Sequence, residues 1–179
     1  IGTQHWMAEN LKVTKYRNGD NLTHITINSN WASNTDGAYG YYDNSTANRD
    51  TYGMLYDWHA VDNSSGRNIC PQGWHVPTDS ELTDLATELG SNAAAKLKET
   101  GTVHWASEST GTSNSSGFTA LPAGLRVYNT GTYGGIRSIT YFWTSSNSST
   151  YYGRYRYLSS AGTTLSTGNS YKTYGFSIR

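Results

Sequence analysis

The scarcity of aliphatic side chains constrains this chain most, because its core must be built largely from aromatic rings. Isoleucine, leucine, valine and phenylalanine together supply 26 of the 179 residues. So low a share suggests disorder only when net charge is high, and here 13 basic residues balance 13 acidic ones. The 15 tyrosines and 6 tryptophans offer large buriable areas instead. With 19 glycines and 3 prolines, the composition predicts a folded, turn-rich protein with an aromatic core.

The charges are unevenly distributed along the chain. Residues 1–108 hold all 13 acidic and 7 basic groups, whereas residues 109–179 hold 6 basic groups and no acidic ones. The second part therefore lacks the paired carboxylates of a glycosidase. The zero net charge gives no general attraction to nucleic acid or anionic membranes, and no apolar run is long enough to insert into a bilayer. Since no proline-rich or charged linker occurs, we expect one domain over residues 1–179.

Local signals predict an α+β fold, with helices in the first half and strands in the second. The segment Pro77–Gly90 is the clearest helix, because Thr78 and Glu81 have capping-box spacing ahead of a leucine stripe. Weaker patterns predict helices at Asn92–Glu99 and Gly53–Val61. Short β-like segments are Gln4–Asn10, Phe118–Leu121, Arg126–Tyr128, Tyr141–Thr144, Arg154–Leu158 and Tyr174–Ile178.

No motif for catalysis, metal binding or cofactor binding is found. The five histidines are scattered, and neither a phosphate-binding loop nor a nucleophile elbow occurs. Asp57 and His59 could pair, but a structural role is favoured because no nucleophile accompanies them. The single cysteine, Cys70, is interpreted as a buried small hydrophobic residue or as the partner of a cysteine outside this segment. An enzyme is therefore the least favoured class, and we expect no cofactor.

The window Tyr128–Tyr171 is the most informative for function. Tyrosine, serine, threonine, glycine and asparagine supply 34 of its 44 residues, which is the composition of evolved binding surfaces such as antibody paratopes. Tyr151, Gly153, Tyr155 and Tyr157 share one strand parity, which predicts a row of tyrosines on one face. A plain polar β surface is the simpler alternative, but monomers usually avoid exposing such a row.

A nucleic-acid surface is a further alternative for the same window. Arg137, Arg154 and Arg156 lie among the aromatic residues, and basic strips with aromatics bind single strands. Three arginines are too few for an electrostatic groove, so we expect no nucleic-acid partner.

Six ordered segments resemble the Fibrobacter-type major paralogous domain, a family of secreted and surface-associated modules. These segments span nearly the whole chain and are Trp6–Leu11, Tyr52–Trp58, Cys70–Thr78, Gly117–Arg126, Phe142–Ser146 and Gly175–Arg179. The resemblance implies a C-type-lectin-like fold of the subclass that includes formylglycine-generating enzymes, with helices packed on a small, mostly antiparallel sheet. It also implies an extracellular, cell-surface or virion-associated location, with any export signal upstream or removed. On this view Trp6, Trp58, Trp74 and Trp143 fill the core.

Three departures limit what the resemblance implies. No cysteine follows Cys70, so the oxidase chemistry of formylglycine-generating enzymes is not expected. The calcium motifs of sugar-binding C-type lectins are absent. Family members commonly carry a cysteine directly after the final arginine, which would be the implied partner of Cys70.

The composition of residues 128–171 also resembles the variable proteins of diversity-generating retroelements, in which a reverse transcriptase mutates adenines of a template repeat. We therefore predict a non-enzymatic, hypervariable ligand-binding protein that captures an unknown protein or cell-surface ligand. The alternative is a non-diversified surface module that binds polysaccharide or mediates adhesion. The predicted ligand contacts are Tyr128, Asn129, Tyr133, Ser138, Thr140, Tyr141, Asn147, Tyr151, Tyr152, Tyr155, Tyr157, Asn169 and Tyr171.

Overall fold

The structure is a computed structural model that describes residues 1–64, 66–108 and 111–179. Within these ranges the helices are α1 Asn28–Ala32, α2 Thr46–Tyr52, α3 Trp58–Val61, α4 Asp79–Leu89 and α5 Ala93–Leu97, with a 3₁₀ turn at Tyr42–Asn44. The strands are β1 Thr23–His24, β2 Ala38–Gly40, β3 Leu55–Tyr56, β4 Ala123–Arg126, β5 Tyr133–Ile136, β6 Ile139–Asn147, β7 Tyr152–Ser159 and β8 Ser166–Tyr171.

The strands form two sheets. The first is small and has the order β1-β2-β3, and the second has the order β5-β4-β6-β7-β8. The pairs β1–β2 and β4–β6 are parallel, whereas the others are antiparallel. All five helices precede the five-stranded sheet in the described chain, so the fold is mixed α and β, as predicted.

Helix α4 begins and ends as its sequence predicts. The Thr78 hydroxyl accepts a hydrogen bond from the Glu81 backbone N–H at 3.2 Å, and the Glu81 carboxylate accepts one from the Thr78 N–H at 2.7 Å. This reciprocal pair satisfies donors that would otherwise lack partners at a helix start. The apolar stripe of α4 is buried against the side of the large sheet that carries Phe142 and Leu158. Its members are Leu82, Leu85 and Leu89.

The opposite side of the large sheet packs against the first half of the chain through aromatic rings. Trp58 and Trp143 are buried there, as expected. Trp6 is only partly buried, and the expectation that Trp74 fills the core is wrong, because 37 % of its surface is exposed. Trp31 and Trp105 are fully buried instead.

Several predicted elements differ from the structure. The helix predicted at Gly53–Val61 is wrong, because Gly53 has a φ of +82° and residues 55–56 pair with β2 as strand β3. Only its last four residues are helical. No strand forms at Gln4–Asn10, and Tyr174–Ile178 joins its neighbours through isolated bridges. Phe118–Leu121 contributes one bridge, and the strand predicted at Arg126–Tyr128 instead ends at Arg126.

Candidate ligand-binding face

Three of the predicted contact residues meet on one face of β6 and β7. The register pairs Tyr141 with Tyr157 and Trp143 with Tyr155, and residues two apart on a strand share a face. The ring centroid of Tyr141 lies 5.4 Å from that of Tyr155 and 5.7 Å from that of Tyr157. We call the surface formed by four side chains, Tyr141, Tyr155, Tyr157 and Tyr174, the tyrosine face.

The buried ring of Phe176 supports this face from beneath. Its centroid lies 4.7 Å from that of Tyr141 and 5.4 Å from that of Tyr174, both in stacked geometry. Tyr155 meets it edge-on at 5.2 Å, and Trp143 lies 4.3 Å away on the core side. Stacked and edge-on pairs are the preferred aromatic geometries, so the core holds the phenol rings in defined positions.

The hydroxyl groups of the tyrosine face are not used by the fold. All four side chains are partly exposed. In the described chain, none of these hydroxyls has a hydrogen-bond partner, and none is among the buried unpaired atoms. Burial raises the pKa of Tyr141, Tyr155 and Tyr174. These phenols therefore keep their protons at neutral pH and can both donate and accept hydrogen bonds.

A second group of tyrosines extends the aromatic surface. Tyr171 stacks on Tyr128 with centroids 4.4 Å apart, and Tyr152 lies 4.7 Å from Tyr171. Tyr128 also lies 5.0 Å from Tyr174, which joins this group to the tyrosine face. Tyr151, directly before β7, is 69 % exposed. Phe176 connects this group to Tyr141 and Tyr155, since it contacts Tyr174 as well. By strand parity Tyr152 and Tyr171 face the same side of the sheet as Arg154.

Two predicted contacts lie away from this surface. Tyr133 is on β5, where its hydroxyl donates to Asn44 Oδ1 at 3.0 Å and its ring lies against Arg126. Thr140 is fully buried, so its predicted role as a contact is corrected. It lies on β6 opposite Leu158, with its side chain on the core side.

The four remaining predicted contacts are polar and exposed but do not all share one side of the sheet. Asn129, Ser138 and Asn147 lie in a turn, in a hairpin and at the end of β6, respectively. Asn169 is on β8 directly opposite Arg154. Because Arg154 and Tyr155 are adjacent on β7, Asn169 faces the side of the sheet opposite to the tyrosine face.

Sequence reasoning missed Tyr174 as a member of the site. Tyr174 lies three residues beyond the window Tyr128–Tyr171 and belongs to the predicted β segment Tyr174–Ile178. The available signal was parity, since Tyr174 and Phe176 are two residues apart and their rings stack.

The contacts of the window's three arginines lie away from the tyrosine face. Arg156 Nε lies 2.7 Å from Asp79 Oδ1, and Arg154 Nη1 lies 3.6 Å from Asp79 Oδ2. Arg137 donates to the carbonyl oxygens of Val103 and Thr102. None of these contacts points a guanidinium toward the tyrosine face, so the geometry does not favour the single-strand alternative.

The pair Asp57 and His59 has a structural arrangement. Asp57 Oδ1 accepts the N–H groups of Ala60 at 2.9 Å and Ala38 at 3.2 Å, and Oδ2 accepts from Asn34 Nδ2 at 2.6 Å. These bonds cap α3 and join it to β2. Burial raises the pKa of Asp57 to about 8. Across the described ranges, no group of three or more metal-ligating side chains occurs.

Cys70 is buried and unpaired in this structure. Burial raises the pKa of its thiol to about 11, so the thiol is protonated and behaves as a small hydrophobic group. It lies in the wall of a cleft of about 500 Å³ that also contains Trp74, His75 and Arg179. A cysteine partner outside the segment stays a prediction.

The family comparison matches the whole chain. The model of the Fibrobacter succinogenes major domain covers residues 1–179. No curated protein and no solved structure matches the chain. Of the helices in the described ranges, none has both the length and the apolar character needed to cross a bilayer.

Proposed function

Because this chain belongs to the Fibrobacter succinogenes major domain family, and because four of its tyrosines form the partly exposed tyrosine face, we propose that it is a non-enzymatic ligand-binding protein. The observation that carries the proposal is the tyrosine face itself. Phe176 contacts three of its four rings, while its hydroxyls have no partner within the described chain. Rigid aromatic anchors with free hydrogen-bonding groups are the properties that binding surfaces use.

We also propose that the surface is diversified, as in the variable proteins of diversity-generating retroelements. Support comes from the way that the window Tyr128–Tyr171 divides between the two sides of its strands. Phe142 and Leu158 are buried on one side, whereas Tyr141 and Tyr157 are partly exposed on the other, where Trp143 is the buried exception. Such a division permits the exposed positions to change while the core positions remain fixed.

The finer fold assignment belongs to the same proposal. A C-type-lectin-like fold of the formylglycine-generating-enzyme subclass accounts for a few helices beside a small mixed sheet. An extracellular, cell-surface or virion-associated location follows from the family resemblance.

The genomic locus tests diversification directly. We expect a near-identical repeat of the coding segment for residues 128–171 that differs at adenines and lies next to a reverse-transcriptase gene. Copies from related strains should then differ at Tyr141, Tyr155 and Tyr157 and agree at Trp143 and Phe176. A locus with neither repeat nor reverse transcriptase would favour the non-diversified adhesion module instead.

A binding experiment tests the site. The native chain, the double variant Tyr155→Ala/Tyr157→Ala and the control Tyr41→Ala are applied to arrays of purified proteins and of glycans. Tyr41 is a suitable control because it also packs on an aromatic ring, that of His24, but lies outside the large sheet. We expect hits that the double variant loses and Tyr41→Ala retains. Hits that survive in the double variant would contradict the proposed site, and hits confined to glycans would favour polysaccharide binding.

A further inference from the structure

Strand β8 is an open edge of the large sheet. In the order β5-β4-β6-β7-β8 it has a neighbour on one side only. Its six residues pair with β7 without interruption and include no charged residue and no proline. Natural edge strands are usually protected by charges, proline or bulges, because an unprotected edge can pair with a further strand. β8 has none of these protections.

The hydrogen-bonding pattern identifies which backbone groups are free. The Lys172 N–H donates to the Tyr151 carbonyl oxygen at 3.0 Å, which makes these two residues a hydrogen-bonded pair. In an antiparallel ladder such pairs alternate, so the N–H and C=O groups of Thr167 and Asn169 point away from β7. Within the described ranges, no other backbone group hydrogen-bonds to these two residues.

On one side of the sheet, the tyrosine face reaches across β8. A methyl group at Gly168 would lie 2.6 Å from the Tyr155 hydroxyl oxygen, because the Tyr155 phenol lies over this glycine. A strand added beside β8 would therefore meet the Tyr155 hydroxyl on that side.

On the other side, a positive charge lies near the same edge. Asp79 faces both Arg154 and Arg156, at 3.6 Å and 2.7 Å. One carboxylate cannot neutralise two guanidinium groups, so a net positive charge remains. Arg154 is the more exposed of the two and lies opposite Asn169 of β8.

We propose that the open edge of β8 is a docking site for an extended, acidic segment of a partner protein, which adds to the sheet as a sixth strand. Thr167 and Asn169 supply its main-chain hydrogen bonds, the Tyr155 hydroxyl contacts one of its sides, and Arg154 attracts a carboxylate on the other. A second copy of this chain fits less well, because its β8 would bring another Arg154 to that side. The inference goes beyond the proposed function, since its main-chain hydrogen bonds come from the β8 backbone and only one tyrosine of the tyrosine face, Tyr155, takes part.

The test uses a nine-residue peptide with acetylated and amidated ends. Its threonine and valine residues alternate to favour an extended strand, and two aspartates make it acidic. A matched peptide carries N-methyl groups at alternate residues, which prevents its backbone from pairing. Amide NMR spectra of the native chain should show shifts at Thr167 and Asn169 with the first peptide only.

The variant Thr167→Pro removes an outward N–H, a change that edge strands tolerate. It should weaken peptide binding about tenfold, the equivalent of one hydrogen bond. Thr167→Ala keeps that N–H and should bind like the native chain.

Three results would overturn the proposal. The first is equal binding of both peptides, and the second is absence of shifts at Thr167 and Asn169 with millimolar peptide. The third is a dimer, seen by sedimentation, that Thr167→Pro dissociates, because the edge would then pair with a second copy. The NMR spectrum of Thr167→Pro also shows whether this variant folds. Arg154→Glu is an independent variant, which should weaken binding of the acidic peptide because it reverses the charge that attracts the peptide carboxylate.

Discussion

The ring of Phe176 lies beneath that of Tyr141, with centroids 4.7 Å apart and planes inclined by only 14°. Phe176 is 2 % exposed, whereas Tyr141 is partly exposed and its hydroxyl has no partner among the described residues. The boundary between the core and the proposed binding surface therefore runs between these two rings. Several consequences of that boundary can be measured.

Phe176→Leu should weaken both the fold and the tyrosine face. The substitution removes the stacked and edge-on partners of Tyr141, Tyr155 and Tyr174 and leaves space beneath them. We expect the free energy of unfolding to fall by about 1–3 kcal/mol, as measured by urea denaturation. The ring signals of the three tyrosines should shift in NMR spectra, and unchanged signals would show that Phe176 does not position them.

Gly168→Ala should displace Tyr155 with little cost to the fold. The new methyl group would lie 2.6 Å from the Tyr155 hydroxyl oxygen, and the outer part of this side chain can move. Gly134→Ala on β5 is the matched control, because nothing lies within 4 Å of the added methyl group. We expect shifted Tyr155 ring signals in the first variant alone. A Tyr155 signal that stays in place would contradict the geometry.

Gly153→Ala should instead destabilise the protein. The added methyl group would lie 2.3 Å from Trp58 Cδ1, and Trp58 is held by a hydrogen bond from its Nε1 to the Thr144 carbonyl oxygen at 2.9 Å. Overpacking of this kind typically costs about 1–3 kcal/mol. Thermal denaturation of this variant beside Gly134→Ala measures the cost. Equal stability of the two would be inconsistent with the packing, and Gly153 should not vary in natural copies of the window.

Part of this architecture could be predicted from the sequence. The capping box of Thr78 and Glu81 set the start of α4, because it depends on residues three apart. The alternation of Tyr155 and Tyr157 predicted their common face, because strand parity is also local.

Other features depend on contacts between distant residues and were not predicted. The apolar residues of Gly53–Val61 suggested a helix, but pairing of Leu55 with β2 overrode that local preference. Thr140 belongs to the window by composition, yet its position opposite Leu158 makes it a core residue. The support of Tyr141 by Phe176 links residues far apart in the chain, so no local pattern could indicate it.

The stability of the protein should depend on pH through Asp57. Burial raises the pKa of this carboxyl to about 8 in the folded protein, well above its usual range. Between about pH 4 and pH 8 the folded protein therefore keeps a proton that the unfolded chain has released. The free energy of unfolding should fall as pH rises across this window, by at most about 1.4 kcal/mol per pH unit.

Asp57→Asn tests this dependence because it removes the titration and retains Oδ1, which accepts the N–H groups of Ala38 and Ala60. We expect a shallower slope in the variant than in the native chain when urea denaturation is repeated from pH 4 to pH 8. Identical slopes would show that Asp57 is ionised throughout this range. Asp57→Ala should be less stable than Asp57→Asn at every pH, because it loses the helix cap.

The most direct test removes only the hydroxyl groups of the tyrosine face. In the triple variant Tyr141→Phe/Tyr155→Phe/Tyr157→Phe the rings remain, and no hydrogen bond of the described fold is lost. The control Tyr56→Phe removes a buried hydroxyl that donates to the Val13 carbonyl oxygen at 2.9 Å, and should lower the free energy of unfolding by about 1 kcal/mol. For a ligand identified on the arrays, we predict that the triple variant binds at least about tenfold more weakly while its unfolding free energy is unchanged. Unchanged affinity in the triple variant would contradict the claim that these phenols bind the ligand.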